Sequence, residues 1–192
     1  VSEKLPSYNK VYEMVYNIDI PYLNEKVIDE NAEFINSIIS SYVAEDNDKI
    51  FLVHNLYQAL TELLRLQKDP GTAFDERTEI VDSFIALKNK DPKPAEAVFL
   101  KQVEINKDSK KKSTLQTYAA ILHYLYDEKV ALEMLLNAVK IDPQNLVAWN
   151  NIGHIYRHKG NIKEAINAYN MLLYRAEKLN NHAAIASAYC NL

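Results

Sequence analysis

The stretch from Trp149 to Leu173 limits what this chain can fold into more than any other part of it. Trp149, Ile152, Gly153 and Tyr156 fall on one face of a helix at the 3.6-residue period. After Gly160 and Asn161 a second apolar stripe begins with Ile162, Ala165, Ile166, Tyr169 and Leu173. Each stripe covers only part of its helix, so one helix pair cannot bury its own apolar surface and must stack on neighbouring pairs. Gly153 and Ala165 remove side-chain bulk where two helix backbones approach each other.

The same frame recurs along the chain. Leu115 lies 34 residues before Trp149, and Ala131 lies 34 before Ala165. The preceding unit carries Leu115, Tyr118, Ala119 and Leu122 in its first helix, then Ala131, Leu135, Ala138 and Pro143. Further upstream Ala95, Phe99 and Val103 stand in the frame of a second helix. Downstream, Tyr189, Asn191 and Leu192 open another unit 40 residues after Trp149.

The pattern Trp149-x-x-Ile152-Gly153-x-x-Tyr156 followed by Ala165-x-x-x-Tyr169 resembles the tetratricopeptide repeat, whose Trp, Leu-Gly, Tyr, Ala and Phe stand at these separations. Leu172 and Glu177 replace the Ala and Pro usual in that family, as in its longer-helix variants. The resemblance covers about Thr72 to Leu192 and is strongest over Asn145 to Leu173. It implies an all-α chain, a right-handed α-solenoid of antiparallel helix pairs. Residues 1–71 form a helical amino-terminal cap or degenerate repeats, and residues 72–192 form the repeats, the last one truncated.

Composition agrees with helix. Of 192 residues 48 % are apolar, with only three Gly and six Pro to punctuate strands and hairpins. Tyr8, Val11, Tyr12, Val15 and Tyr16 make a first stripe, interrupted by Pro21. Helices are predicted at about 22–43, with Ile28, Phe34, Ile35, Ile38 and Ile39 inward, and at about 48–67, ended by Asp69-Pro70-Gly71. The Glu45-Asp46-Asn47-Asp48 cluster separates these two. Further helices are predicted at 74–89, 95–106, 113–126, 128–140, 146–159 and 161–179, with one more opening near His182. The Lys107, Lys110, Lys111 and Lys112 run reads as a solvated connection between helices.

A net charge of −4 argues against a general nucleic-acid binder, which needs a basic surface. No apolar run approaches the ~20 residues of a membrane span. Cys190 is the only cysteine, so neither an intramolecular disulfide nor a cysteine-built metal site is available, and it reads as a small helix residue. The chain begins at Val1 rather than Met, as an excised piece or a processed form would. No nucleophile elbow, glycine-rich phosphate loop or paired-carboxylate frame appears, and the expectation is no enzyme and no cofactor. Asp29, Glu30 and Glu33 read as an exposed acidic face. His154 and His158 sit one turn apart, a spacing that can hold a metal, but Ile155 follows the first His and no third ligand is evident, so no metal is expected.

The resemblance implies that the first helix of each pair lines a concave surface. Opposite the packing face lie Asn151, His154 and His158, flanked by Val147, Asn150 and Arg157. One unit earlier that face includes Gln116 and Thr117, and in the truncated unit Ser187, Cys190 and Asn191. Asn151 and Asn191 stand where many members of the family bond a bound chain. The basic set that members use to clamp chaperone tails is missing apart from Arg157. The expected partner is another protein, offering a peptide or helix to Asn150, Asn151, His154, Arg157, His158, Gln116, Thr117 and Asn191. The alternative is a sensory or regulatory repeat domain of a larger signalling or transcription protein. The unpaired stripe ending at Leu192 is expected to pair with another copy.

Overall fold

A computed structural model describes residues 25–43, 51–69 and 71–192. Among them nine helices and no strand are found, so the chain is all-helical and repeat-like. The helices are α1 (Glu25–Val43), α2 (Leu52–Lys68), α3 (Phe74–Lys88), α4 (Lys93–Ile105), α5 (Ser109–Tyr124), α6 (Glu128–Ile141), α7 (Leu146–His158), α8 (Ile162–Lys178) and α9 (His182–Asn191). The tyrosine stripe, Pro21, the Glu45–Asp48 cluster and Pro70 lie outside the described residues, as does the side chain of Ile28.

The chain forms two compact units, dividing between Asp91 and Pro92. In the first, α1 contributes Ile35, Ile38, Ile39 and Val43 to the core, and α2 contributes Leu52, Leu56, Leu60, Leu63 and Leu66. The face of α3 that carries Ile80, Phe84 and Leu87 packs on these two helices, with the Phe34 and Phe84 rings 5.5 Å apart. Tyr42 donates its hydroxyl to the Leu87 carbonyl at 3.0 Å, tying α1 to the end of α3. There Lys90 takes φ 64°, and the Asp91 amide donates back to the Ala86 carbonyl. This is the left-handed helix stop usually filled by glycine.

In the second unit each helix packs on the next along the chain, and α5 also meets α7. The buried residues repeat with the 34-residue frame. Leu115 and Ala119 on α5 correspond to Trp149 and Gly153 on α7, and Ala131, Leu135 and Ala138 on α6 to Ala165, Tyr169 and Leu172 on α8. All of these but Trp149 are buried. Trp149 is half-buried and donates its indole N–H to the Pro143 carbonyl at 2.9 Å, so it fastens the preceding turn. Ile162 and Ile166, expected in the buried stripe of α8, are 55 % and 41 % exposed. The stripe instead runs through Ala165, Ala168, Tyr169, Leu172 and Ala176, because small residues let α8 lie close to its neighbours.

The lysine run differs from its expectation. Lys110, Lys111 and Lys112 form the first turn of α5 instead of a connection. Cations at a helix N-terminus oppose its dipole, but Asp108 accepts from the Lys111 amide at 3.0 Å and supplies both a cap and a negative charge. Pro94 lies inside the first turn of α4, where a missing amide hydrogen costs nothing.

Candidate functional site

The expected partner-binding residues lie on α5, α7 and α9 of the second unit, and the packing sorts them into two groups. Asn145 caps α7 by accepting from the Ala148 amide at 2.9 Å. Its amide nitrogen donates to Ser113 Oγ at 2.8 Å and to Thr117 Oγ1 at 2.9 Å. Ser113 donates to the Ala138 carbonyl at 2.7 Å, and Thr117 to the Ser113 carbonyl at 2.9 Å. Thr117 therefore serves a buried network joining α5, α6 and the start of α7. Gln116 is buried beside it. Asn151 is 1 % exposed and donates to the Val147 carbonyl at 2.8 Å, one turn back on its own helix. The helical period placed these residues opposite the apolar stripe, but neighbouring helices enclose more of α5 and α7 than that stripe alone covers.

The second group forms a connected polar network. His154 is buried, and its Nδ1 lies 3.2 Å from Arg157 Nη2 and 3.3 Å from the Tyr169 hydroxyl. Both are donors, so Nδ1 is the accepting nitrogen of a neutral ring. Burial first, and the Arg157 charge second, push the His154 pKa down to about 4. Arg157 is exposed and also donates to Asn191 Oδ1 at 3.4 Å, while Asn191 donates to Asn150 Oδ1 at 3.4 Å. Asn150, His154, Arg157 and Asn191 are thus brought together across α7 and α9, with Tyr169 of α8 as their buried support. His158 lies apart, with Nδ1 3.5 Å from Glu128 Oε1 on α6. One turn before Asn191, the buried Ser187 Oγ has no hydrogen-bond partner among the described residues.

The sequence did not point to a second cluster. Glu96 of α4 is buried, with Oε1 2.8 Å from His123 Nδ1, and Tyr126 donates its hydroxyl to Glu96 Oε2. The His123 and Tyr126 rings lie 4.3 Å apart, and Lys93 Nζ stands 5.3 Å from the Tyr126 ring centre. His123 and Tyr126 are three residues apart on one strip of surface, but Glu96 is 27 residues from His123, so only the α4–α5 packing assembles the group. Among the described residues no group of three or more His, Cys, Asp and Glu side chains is arranged to hold a metal ion. Among them, too, no helix is long and apolar enough to cross a membrane.

Comparison with known proteins bears on this unit. Neither the curated proteins nor the solved structures gave a match. A family profile described as Tetratricopeptide repeat matches residues 134–167, from the second half of α6 through α7 into the first turns of α8. That match supports a tetratricopeptide-repeat assignment for the segment holding Asn145, Gly153, His154 and Arg157, and such repeats serve in general as protein-interaction scaffolds.

Proposed function

We propose that this chain is a protein-interaction scaffold that receives a peptide or helix of a partner against α5, α7 and α9 of its second unit. The observation that carries the reading is the exposed Arg157 guanidinium, held between the Asn150–Asn191 amide pair and a buried histidine. A cation and two amides in fixed positions suit a partner's carbonyl or carboxylate groups. His154 and Tyr169 restrict where Arg157 sits, which lowers the entropy lost when a partner binds. In this reading Asn151, Gln116 and Thr117 position the helices, and recognition requires no chemistry of the chain.

Two exposed-side substitutions, Asn150→Ala and Arg157→Ala, test it together. Proteins captured from a lysate by native and substituted chain are quantified by mass spectrometry, alongside melting temperature. Loss of charged hydrogen bonds worth about 1.5–3 kcal/mol predicts at least a roughly tenfold drop in capture of specific partners. The same partners at the same intensities, at unchanged stability, reject the face. Pairing with a second copy through α9, where Tyr189 and Leu192 are 62 % and 49 % exposed, is a separate proposal. A strictly monomeric sedimentation profile at high concentration rejects it.

A further inference from the structure

Helix α3 of the first unit has two apolar faces, and only one is used. Ile80, Phe84 and Leu87 are buried against α1 and α2. Phe74, Val81 and Ile85 are 83 %, 44 % and 55 % exposed. At 100° per residue these three lie within about 40° of one another, roughly 120° round from the buried face. They form a ridge about 16 Å long at the 1.5 Å rise. A helix with one face on a core ordinarily turns polar residues outward, and an exposed apolar row of this kind marks an interaction surface. Thr78 interrupts the row, but its hydroxyl is already satisfied by the Phe74 carbonyl at 3.1 Å.

Charge then says what fits the ridge. Along one edge stand Asp75 and Asp82, two turns apart and exposed, with no ion-pair partner among the described residues. The cations on the other edge are engaged inside the unit. Arg77 Nε donates to the Thr72 carbonyl at 3.0 Å, and Lys88 Nζ lies 4.6 Å from the centre of the Phe34 ring. Both keep their charge in these contacts, but α3 carries four carboxylates, Asp75, Glu76, Glu79 and Asp82, against these two cations, so the field beside the ridge is negative. We infer that this face of α3 docks an amphipathic helix of another protein that carries Lys or Arg along the edge meeting Asp75 and Asp82. A second copy of this chain fits less well, since antiparallel symmetric pairing through α3 sets these carboxylates against their own equivalents and parallel pairing still brings together two helices with more acidic than basic side chains.

The test uses the full chain and two designed helical peptides of about five turns, with the same leucine ridge but a lysine or a glutamate edge. Fluorescence anisotropy is expected to show the lysine-edged peptide binding at least about tenfold tighter, with the difference shrinking as salt rises. Val81→Glu, at an exposed position, abolishes binding without moving the melting temperature. Asp75→Lys with Asp82→Lys leaves the ridge intact and reverses the preference toward the glutamate-edged peptide. Equal binding of both peptides overturns the inference, as does a preference that survives the charge reversal. Concentration-dependent dimerisation of the chain alone that Val81→Glu removes assigns the face to a second copy, which also overturns it.

Discussion

Replacing Gly153 with Ala tests the close approach on which the α7–α8 pair depends. A Cβ built on Gly153 falls 2.3 Å from Tyr169 Cε1, 2.6 Å from Cδ1 and 2.7 Å from Cζ. These atoms belong to the body of a ring that is 1 % exposed, so it cannot swing into solvent to make room. Overpacking of this kind costs about 1–3 kcal/mol, and separations this short place the site toward the upper end. Against that, Ala in place of Gly inside a helix gains about 1 kcal/mol. The net expectation is a loss of roughly 2 kcal/mol, seen as a melting temperature several degrees lower by circular dichroism. The preceding repeat shows how the clash is relieved. There the equivalent positions hold Ala119 and Leu135, both buried. In a Tyr169→Leu background, therefore, Gly153→Ala becomes neutral or stabilising, although Tyr169→Leu itself loses the hydroxyl contact with His154. A double-mutant cycle in urea measures the coupling. If Gly153→Ala has the same effect in both backgrounds, the ring is not what excludes a side chain, and the reasoning fails.

Acid is expected to destabilise the second unit through His154. Its folded pKa near 4 lies below the ordinary 6.5, so between these values the unfolded chain binds the extra proton and stability falls as pH drops. The contribution is fully present above pH 6.5, and about 3 kcal/mol is lost by pH 4. Burial likewise pushes His54 of the first unit down to about 4, so His154→Leu flattens, without removing, the acid slope in denaturant titrations from pH 7 to pH 4. Asn145→Ala removes the α7 cap and two hydrogen bonds to α5, for an expected loss of about 2–3 kcal/mol by urea unfolding. Asn181→Ala removes only the cap of α9, accepted from Ala184 at 3.0 Å, and costs about 1 kcal/mol. Equal losses would show that the cross-helix bonds contribute nothing. Lys90→Gly relieves a left-handed residue and gains about 1 kcal/mol, less roughly 0.5 kcal/mol for the Lys90–Tyr42 ring contact at 5.1 Å. Gly160→Ala, at φ 75° with open space around it, loses about 1–2 kcal/mol from the backbone alone. A melting temperature unmoved by either substitution contradicts this account of the two turns.

Local rules reach as far as the helices and their pairing. Apolar residues at the helical period, separated by Asp69, Pro92, Gly160 and their neighbours, were enough to place α3 through α9 within a few residues, since backbone hydrogen bonds and turn chemistry are local. The 34-residue frame identified the helix pair because stacking demands small residues at repeated positions, and Gly153 against Tyr169 is such a place. At the start of α5 local reasoning stopped short. A lysine run reads as a connection until Asp108 is seen to cap it.

The candidate site was legible as a set of residues and not as an arrangement. Periodicity on one helix could place Asn150, Asn151, His154 and Arg157 on one side, because that depends only on 100° per residue. It could not show that Asn151 and Thr117 are enclosed, because their burial is decided by neighbouring helices that come from elsewhere in the chain. The same holds for the protonation state of His154, which depends first on its burial by neighbouring helices and then on the Arg157 charge beside it. The α3 ridge is the converse case. Its residues are apolar and helically spaced, as core residues are, and only the packing of α1 and α2 leaves Phe74, Val81 and Ile85 in solvent. Sequence alone determined that this chain is helical and repeating, whereas tertiary structure decided which polar groups hold the fold and which surfaces remain for a partner. The physical reason is that helix formation is settled within a few residues, while burial and pKa depend on atoms that only packing brings close.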